Sequence, residues 1–197
     1  MAFTLSVLPA GPGRAQTVSA ATVDDVERYL DDLHTLRARF IQIAPDGSSD
    51  QGEIWLKRPG LLKLDYDQPS KIEMYANNGR LIYYDPDFNQ LNYIGLDETP
   101  LGFLLAEDIN LREQVDIERL ELRADELIMV VSDADSDIQG QLELVFAREP
   151  LQLKRWTVVD PQGYRTLVML EDVRTGMPLD NELFRFINPR LLNPSNQ

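Results

Sequence analysis

Residues 52–66 read GEIWLKRPGLLKLDY, and this stretch decides the fold. Apolar and polar residues alternate on both sides of a central Arg-Pro-Gly, which is typical of two antiparallel strands that each bury one face and are joined by a tight turn. Similar alternation continues along most of the chain, interrupted by turn sequences such as Asn77-Asn78-Gly79. Strands are therefore predicted near residues 38–44, 51–58, 61–66, 71–76, 80–85, 88–94, 115–122, 126–132, 139–147, 153–160 and 165–173.

About eleven strands are too many for one flat sheet with a bare face, so the sheet is expected to curl into an incomplete antiparallel barrel. The predicted fold class is mostly β (α+β), with two helical segments available to cover the mouth of the barrel. The stretch Thr99–Leu105 breaks the strand alternation and predicts a short apolar helix, which is either a lid or a plain core-plugging helix. The other segment is an N-terminal amphipathic helix with Thr22 as its N-cap, and its apolar stripe is Val23, Val26, Tyr29, Leu30, Leu33 and Leu36.

The 197 residues are 43% hydrophobic and include no Cys, which is the composition of one globular domain. Residues 2–9 are mostly apolar, and Gly13 and Ala15 are small residues at the positions that a signal peptidase tests. Residues 1–15 are therefore expected to be a signal-peptide remnant and residues 16–197 a single domain in the periplasm. The alternative is a disordered cytosolic tail.

Composition also argues against several classes of function. The net charge of −14 repels phosphate backbones and anionic headgroups, so a nucleic-acid partner is not expected. Without Cys the chain is not expected to carry a thioether lipid anchor of its own, and with His34 as its one histidine it lacks the commonest zinc ligands. No nucleotide-binding or nucleophile-elbow motif occurs, so neither a cofactor, a metal nor an enzymatic activity is predicted.

Arg58 is the unusual residue of the 52–66 stretch. Strand parity places it in line with Ile54 and Leu56, on the face that is otherwise apolar. A buried guanidinium needs acceptors, and the free backbone carbonyls of a lid could supply them, so Arg58 is a candidate latch. Alternatively, Arg58 sits at the strand end and extends its charged head past apolar neighbours into water.

Five short motifs follow one another along the chain. They are Phe40-x-Gln42, Gly52-x-Ile54-Trp55-Leu56-Lys57-Arg58-Pro59-Gly60, Tyr66-x-x-Pro69, Asn78-Gly79-Arg80-Leu81-x-Tyr83-Tyr84-Asp85-Pro86 and Thr99-Pro100. In this order and at these intervals, the motifs resemble the LolA family of periplasmic outer-membrane lipoprotein carriers. The similarity is densest over residues 36–105, and the sequence departs from the family at Leu64 and Ile82, where family members often carry an aromatic residue.

The resemblance implies an incomplete barrel with helices as a lid over a hydrophobic cavity that binds acyl chains. It implies that Arg58 bonds to lid backbone and holds the empty carrier shut. The expected lid residues are Pro100, Leu101, Phe103, Leu104 and Leu105. The expected cavity lining is Ile54, Leu56, Leu62, Leu64, Tyr66, Ile72, Met74, Tyr83, Met129, Leu142 and Leu144.

The implied function is to accept lipoproteins released from the inner membrane and deliver them to the outer membrane. Expected partners are triacylated lipoproteins, the inner-membrane ABC transporter that releases lipoproteins, and an outer-membrane lipoprotein receptor as a further candidate. The chain is expected to be a monomer. The alternative function is a periplasmic carrier or sensor of another lipid or hydrophobic ligand.

Overall fold

The computed structural model describes residues 20–133 and 140–189, so the predicted signal-peptide remnant lies outside the described residues. The described part consists of one antiparallel sheet and several short helices. The helices are α1 (Ala20–Asp32), three 3-10 helices (Leu96–Glu98, Pro100–Leu105, Asn181–Phe184) and α2 (Leu111–Gln114). The strands are β1 (Thr35–Ile43), β2 (Ser49–Lys57), β3 (Leu61–Tyr66), β4 (Glu73–Asn77), β5 (Arg80–Asp85), β6 (Gln90–Gly95), β7 (Val115–Leu122), β8 (Glu126–Asp133), β9 (Gln141–Arg148), β10 (Leu151–Val159) and β11 (Arg165–Thr175).

The sheet is open. Its strand order is β6-β5-β4-β3-β2-β1-β11-β10-β9-β8-β7, so β6 and β7 are the two edges and do not pair with each other. All neighbouring strands are antiparallel, and the connection from β6 to β7 carries the first two 3-10 helices and α2. The prediction of an incomplete barrel of eleven strands is confirmed.

Strand parity sorts the residues into an inner and an outer face as the sequence predicts. Ile54 pairs with Leu64, which pairs in turn with Met74, so these three side chains share the inner face. Trp55 pairs with Lys63 on the outer face. Because apolar residues occupy the inner positions, burial of this face against the helices supplies the hydrophobic driving force of folding. The inner face of the other half of the sheet includes Leu127, Met129, Val131, Leu142, Leu144 and Phe146, all buried.

The N-terminal helix differs from its prediction at both ends. It already includes Ala20, so Thr22 lies inside the helix and is not its N-cap. Alanine is the strongest helix former, which explains why the helix extends over the two alanines before Thr22. The helix ends at Asp32, so His34 lies in the connection and Leu36 lies in β1. Leu33 and Leu36 are nevertheless buried in the same core as the helix.

The outer face of β2–β5 is covered by residues that follow β11, which the sequence did not predict. Phe184 is completely buried there, and its carbonyl accepts a hydrogen bond from Asn77 Nδ2 at 3.1 Å. The ring of Phe186 packs 5.6 Å from that of Tyr75. Lys57 Nζ donates to the carbonyl of Leu179 at 2.7 Å. Tyr75, Ile82 and Tyr84 on the outer face of β4 and β5 are therefore buried as well.

Candidate functional site: the closure of the half-barrel

Arg58 lies one residue beyond β2 and reaches the C-terminal end of α1. Its Nη1 donates to the carbonyl of Leu30 at 2.6 Å, and its Nη2 donates to the carbonyl of Asp31 at 2.9 Å. The last carbonyls of a helix have no partner within the helix, and a cation is favoured at that end of the helix dipole. The side chain of Arg58 is only 2% exposed, so it does not extend into water.

The burial of Arg58 is incompletely compensated. Its Nε is a buried donor that finds no hydrogen-bond partner among the residues that the structure describes. Burial lowers the pKa of Arg58 from its ordinary value, and the nearby carboxylates of Asp31 and Asp108 act in the opposite direction. An unsatisfied buried donor costs about 1–3 kcal/mol. The buried position of Arg58 therefore carries an energetic penalty beside its two hydrogen bonds to α1.

The turn that carries Arg58 also holds the second helical segment. Gly60, at φ +71°, donates its N–H to the carbonyl of Leu105 at 2.8 Å. Leu105 is the last residue of the 3-10 helix Pro100–Leu105, which we call the cover helix. The prediction of a short apolar helix here is confirmed. However, the Arg58 guanidinium bonds to α1, whereas Gly60 contacts the cover helix.

Local chemistry fixes the cover helix in place. Thr99 caps its N-terminus by accepting the N–H of Leu101 at 3.2 Å, and Pro100 suits the first helical position. A Cβ on Gly102 would lie 2.1 Å from the carbonyl oxygen of Leu96, so only glycine allows this close approach. Leu104 and Leu105 are buried in the inner core, and Leu101 and Phe103 pack against it.

Tyr29 attaches α1 to the inner face of the sheet. Its hydroxyl accepts the N–H of Leu153 at 2.9 Å, next to the shift in the β9–β10 register between Leu153 and Arg155. Its ring meets the ring of Phe146 edge to face, with centroids 5.7 Å apart. Burial raises the pKa of Tyr29, so the neutral phenol is favoured. The contact thus joins the helix to β9 and β10.

A second set of contacts ties α1 to the segment that follows the cover helix. Glu27 accepts the N–H of Leu111 at 2.8 Å, and Asp31 accepts the N–H of Ile109 at 3.3 Å. Arg112 pairs with Asp24 at 2.6 Å on the surface. These contacts join α1 and the segment containing the cover helix into one covering layer over the inner face.

Beneath this layer the inner face is nearly filled. The enclosed space there measures about 20 Å³, which is room for about one water molecule and far too little for an acyl chain. Leu101, Leu104 and Leu105 of the cover helix line this space from above the inner face. The sheet residues that line the remaining space are Leu36, Ile54, Leu56, Leu62, Leu153 and Trp156.

A larger and more open cleft lies beside α1, toward the β7–β10 side of the sheet. Its volume is about 440 Å³. Its floor includes Leu122, Leu127 and Leu151, which belong to or pack against the inner core. Arg28 and Arg148 lie at its polar wall. The cleft is therefore lined both by residues of the inner core and by charged side chains.

Comparison with known proteins decides the family. The model of the family described as outer membrane lipoprotein carrier protein LolA matches residues 31–187. The chain belongs to the LolA family. An outer-membrane lipoprotein carrier protein of Azotobacter vinelandii is 29% identical to it, over 96% of this chain and 91% of that protein. A second one, from Methylococcus capsulatus, is 26% identical over 90% of this chain and 88% of that protein.

Among solved structures, a DUF1329 family protein from Desulfovibrio piger superposes with a TM-score of 0.50. It is 12% identical, and the match covers 84% of this chain and 96% of that one. This likeness concerns the fold alone.

In this LolA family chain, the structure brings most of the predicted cavity residues together on the inner face. Ile72 lies just before β4 instead of within it, yet Ile72 and Met74 both pack against the core. Tyr83 shares the inner face because it pairs with Met74, but it is only partly buried, and burial raises its pKa. Ile82 pairs with Tyr75 on the outer face, so it does not continue the lining at Leu64. The buried lining residues are Ile54, Leu56, Leu62, Leu64, Tyr66, Met129, Leu142 and Leu144.

Sequence reasoning missed the residues that join α1 to the rest of the cover. Tyr29 and Glu27 act through long-range hydrogen bonds, and no spacing in the sequence indicates their partners. Gly60 carried a signal, since a glycine after Arg-Pro is typical of a turn that needs positive φ.

Within residues 22–132 and 140–189, no group of His, Asp and Glu is arranged to hold a metal ion. No helix in the described part of the chain is long and apolar enough to cross a membrane.

Proposed function

We propose that this LolA family protein is a periplasmic carrier that binds the acyl chains of lipoproteins released from the inner membrane and delivers them to the outer membrane. The observation that carries the proposal is an apolar inner face of the open sheet, covered by helices that pack apolar side chains on it and are also held by hydrogen bonds at a few points. The proposed role is binding and release without catalysis. No cofactor takes part in it.

The physical problem is the transport of acyl chains through water. Three chains of roughly 15 methylenes each, at about 0.8 kcal/mol per methylene, represent on the order of 35 kcal/mol of exposure cost. A lipoprotein therefore needs a container between membranes. The affinity must also remain reversible, because noncovalent binding saturates near about 20 kcal/mol and the acceptor must recover the cargo.

We infer that the cover must move for cargo to enter, because the enclosed space of about 20 Å³ admits no acyl chain. Each leucine of the cover that leaves the core forfeits roughly 1.5–3 kcal/mol of burial. Acyl chains that replace Leu101, Leu104 and Leu105 against the same strands restore this apolar contact. Empty and loaded forms can then lie close in free energy, which is what a carrier requires.

Arg58 is proposed as the latch of the empty form. Opening breaks its bonds to the carbonyls of Leu30 and Asp31, and the separation of Gly60 from Leu105 frees the cover helix. The unpartnered Nε of Arg58 makes the latch weaker than a fully satisfied buried cation. Met74 and Met129 on the inner face have flexible thioethers that adapt to varied chain positions.

The partners proposed are triacylated lipoproteins, an inner-membrane ABC transporter that supplies them and an outer-membrane receptor that takes them. A monomeric carrier suits this relay, since each handover needs the mouth of the half-barrel to be free. The periplasm is the compartment between the two membranes. The net charge of −14 disfavours contact with anionic lipid surfaces between handovers.

Mass spectrometry of the protein purified gently from the periplasm tests this proposal. Co-purified triacylated lipoprotein supports the carrier function. Free phospholipid or glycolipid in its place contradicts it and indicates a carrier or sensor of another hydrophobic ligand. A depletion strain gives a second test, because loss of the carrier should leave outer-membrane lipoproteins in the inner membrane. Unchanged lipoprotein localisation would count against the proposal.

A further inference from the structure

The two edges of the open sheet are built differently. β7, at one edge, carries four charged residues, Asp116, Glu118, Arg119 and Glu121, among its eight residues. Its register with β8 shifts between Ile117 and Arg119. Charged side chains and bulges are the means by which natural sheets prevent another strand from pairing with an edge. β7 is therefore a protected edge.

β6, at the other edge, has none of these features. Its sequence QLNYIG contains no charged residue and no proline, and it pairs with β5 without a shift from Asp85↔Gln90 to Arg80↔Gly95. Within residues 20–133 and 140–189, β5 is the one strand that pairs with β6. Every second residue of β6 therefore directs its N–H and C=O groups away from the sheet. This regular edge is ready to accept a further strand.

Large apolar side chains are exposed along the same edge. Tyr93 is 48% exposed and pairs with Ile82 on the outer face, whereas Ile94 is 40% exposed and pairs with Leu81 on the inner face. Phe88, in the turn before β6, is 81% exposed. An incoming strand would thus find a cross-strand partner on each face, which is how neighbouring strands stabilise each other.

The charges around β6 select the kind of partner. The carboxylates of Asp85 and Asp87 lie at one end of the strand, and those of Asp97 and Glu98 lie at the other. Two cations are nearby: Lys71 is paired with Asp87, and Arg80 lies opposite Gly95. The surplus of carboxylates, on a chain of net charge −14, attracts cations and repels a second copy of the chain.

We propose that the free edge of β6 is a docking site for an extended segment of another protein that pairs with it as a twelfth strand. The partner segment has apolar residues opposite Tyr93 and Ile94 and Lys or Arg at its ends. Backbone hydrogen bonds supply the geometry of such strand addition, and side-chain contacts supply the specificity. The site does not depend on the proposed cargo, because the edge lies outside the covered inner core.

Synthetic peptides test the proposal on the full chain. A peptide of about eight residues with a central run of Val and Lys at both ends, called the Val-Lys peptide, is titrated against the protein and followed by fluorescence anisotropy and by amide hydrogen exchange. The expected result is saturable binding with slowed exchange at β6. A Val-Glu peptide of the same length, and a Val-Lys peptide methylated at alternate backbone nitrogens, should bind at least about tenfold more weakly. Equal binding of the methylated peptide would overturn strand addition.

Two matched variants locate the site. Tyr93→Lys with Ile94→Lys places two cations on β6 and should weaken binding of the Val-Lys peptide at least about tenfold. Glu118→Gln with Glu121→Gln makes the same change of charge on β7 and should leave the affinity within about twofold. An equal loss of affinity for the Val-Lys peptide in both variants would show that the effect comes from net charge, and it would contradict a binding site at β6. Hydrogen exchange on the unmodified protein keeps the test valid if the β6 variant folds poorly.

Competing occupants of the edge are tested in the same way. Sedimentation of the peptide-free protein over a concentration series should give a single species, and a dimer that the β6 variant abolishes would assign the edge to a second copy. Vesicles of phosphatidylethanolamine and phosphatidylglycerol should not bind the protein. Vesicle binding that is lost in the β6 variant would assign the edge to a membrane instead. Either result would overturn the proposed protein partner.

Discussion

The Nη1 atom of Arg58 and the carbonyl oxygen of Leu30 lie 2.6 Å apart, although 28 residues separate them in the sequence. This bond joins the turn between β2 and β3 to the last turn of α1. Two residues later, Gly60 bonds to the end of the cover helix. One short turn thus contacts both helical covers, so a disturbance at this turn is expected to affect both.

Replacement of Arg58 by Leu should let cargo enter but slow its release. Hydrogen bonds of a charged donor contribute about 1.5–3 kcal/mol each, so loss of the bonds to α1 should favour the loaded form by about tenfold or more. The measurement is the rate at which purified, loaded protein passes lipoprotein to acceptor membranes or receptor. Arg58→Lys keeps the positive charge but has one donor nitrogen in place of the two that bond to α1, so it should show a smaller effect. Unchanged delivery rates in Arg58→Leu would contradict the proposal that Arg58 is a latch.

Replacement of Gly102 by Ala should displace the cover helix. The added Cβ would meet the Leu96 carbonyl oxygen at 2.1 Å, so backbone must shift, at a cost of about 1–3 kcal/mol. Amide hydrogen exchange over residues 100–105 should become faster. Gly163→Ala is the matched control, because it adds a methyl group in open space at positive φ. It should reduce stability without changing exchange in the cover helix, and equal exchange rates in both variants would contradict the prediction.

Replacement of Tyr29 by Phe should weaken the seating of α1. The variant keeps the ring against Phe146 but removes the acceptor for the buried N–H of Leu153. An unsatisfied buried donor costs about 1–3 kcal/mol, and the free energy of unfolding in urea should fall by that amount. Tyr164→Phe, at an exposed position, is the control and should change it by less than about 0.5 kcal/mol. The same small change in Tyr29→Phe would show that water replaces the hydroxyl.

The Tyr75 hydroxyl should make the protein less stable at high pH. Burial, with Glu73 nearby, raises the pKa of Tyr75 from 10.0 to about 12. Since the unfolded chain releases this proton first, the contribution to stability is complete below pH 10.0 and is lost as pH rises toward about 12. The free energy of unfolding of Tyr75→Phe should therefore fall less steeply over that interval. If the free energy of unfolding fell equally steeply with pH in Tyr75→Phe and in the unmodified protein, the raised pKa of Tyr75 would be contradicted.

The sheet and its two faces could be predicted from sequence because they depend on local alternation. Ile54 and Leu56 alternate with Trp55 and Lys57, and a period of two fixes which side chains share a face. The boundaries of α1 could not be predicted as well, because Leu33 and Leu36 continue the helical spacing although the chain has already turned into β1. Apolar spacing indicates burial there and does not distinguish the helix from the strand that follows.

The closure depends on contacts that no local pattern records. The sequence marked Arg58 as unusual and the resemblance implied a bond to lid backbone, but the structure places its guanidinium on α1 and not on the cover helix. Phe184 gave no signal of its place on the outer face, since one apolar residue has no periodicity. Its position follows from how the segment after β11 returns across β3 and β4.

The sequence by itself determined an open sheet with one apolar face, because side-chain alternation and turn chemistry act between residues close in the chain. Only the tertiary structure decided how that face is covered and which carbonyls accept hydrogen bonds from Arg58. It also decided which of the two edge strands can still pair with another strand. These features arise between residues distant in sequence, where the curvature of the sheet sets the partners and local preferences do not.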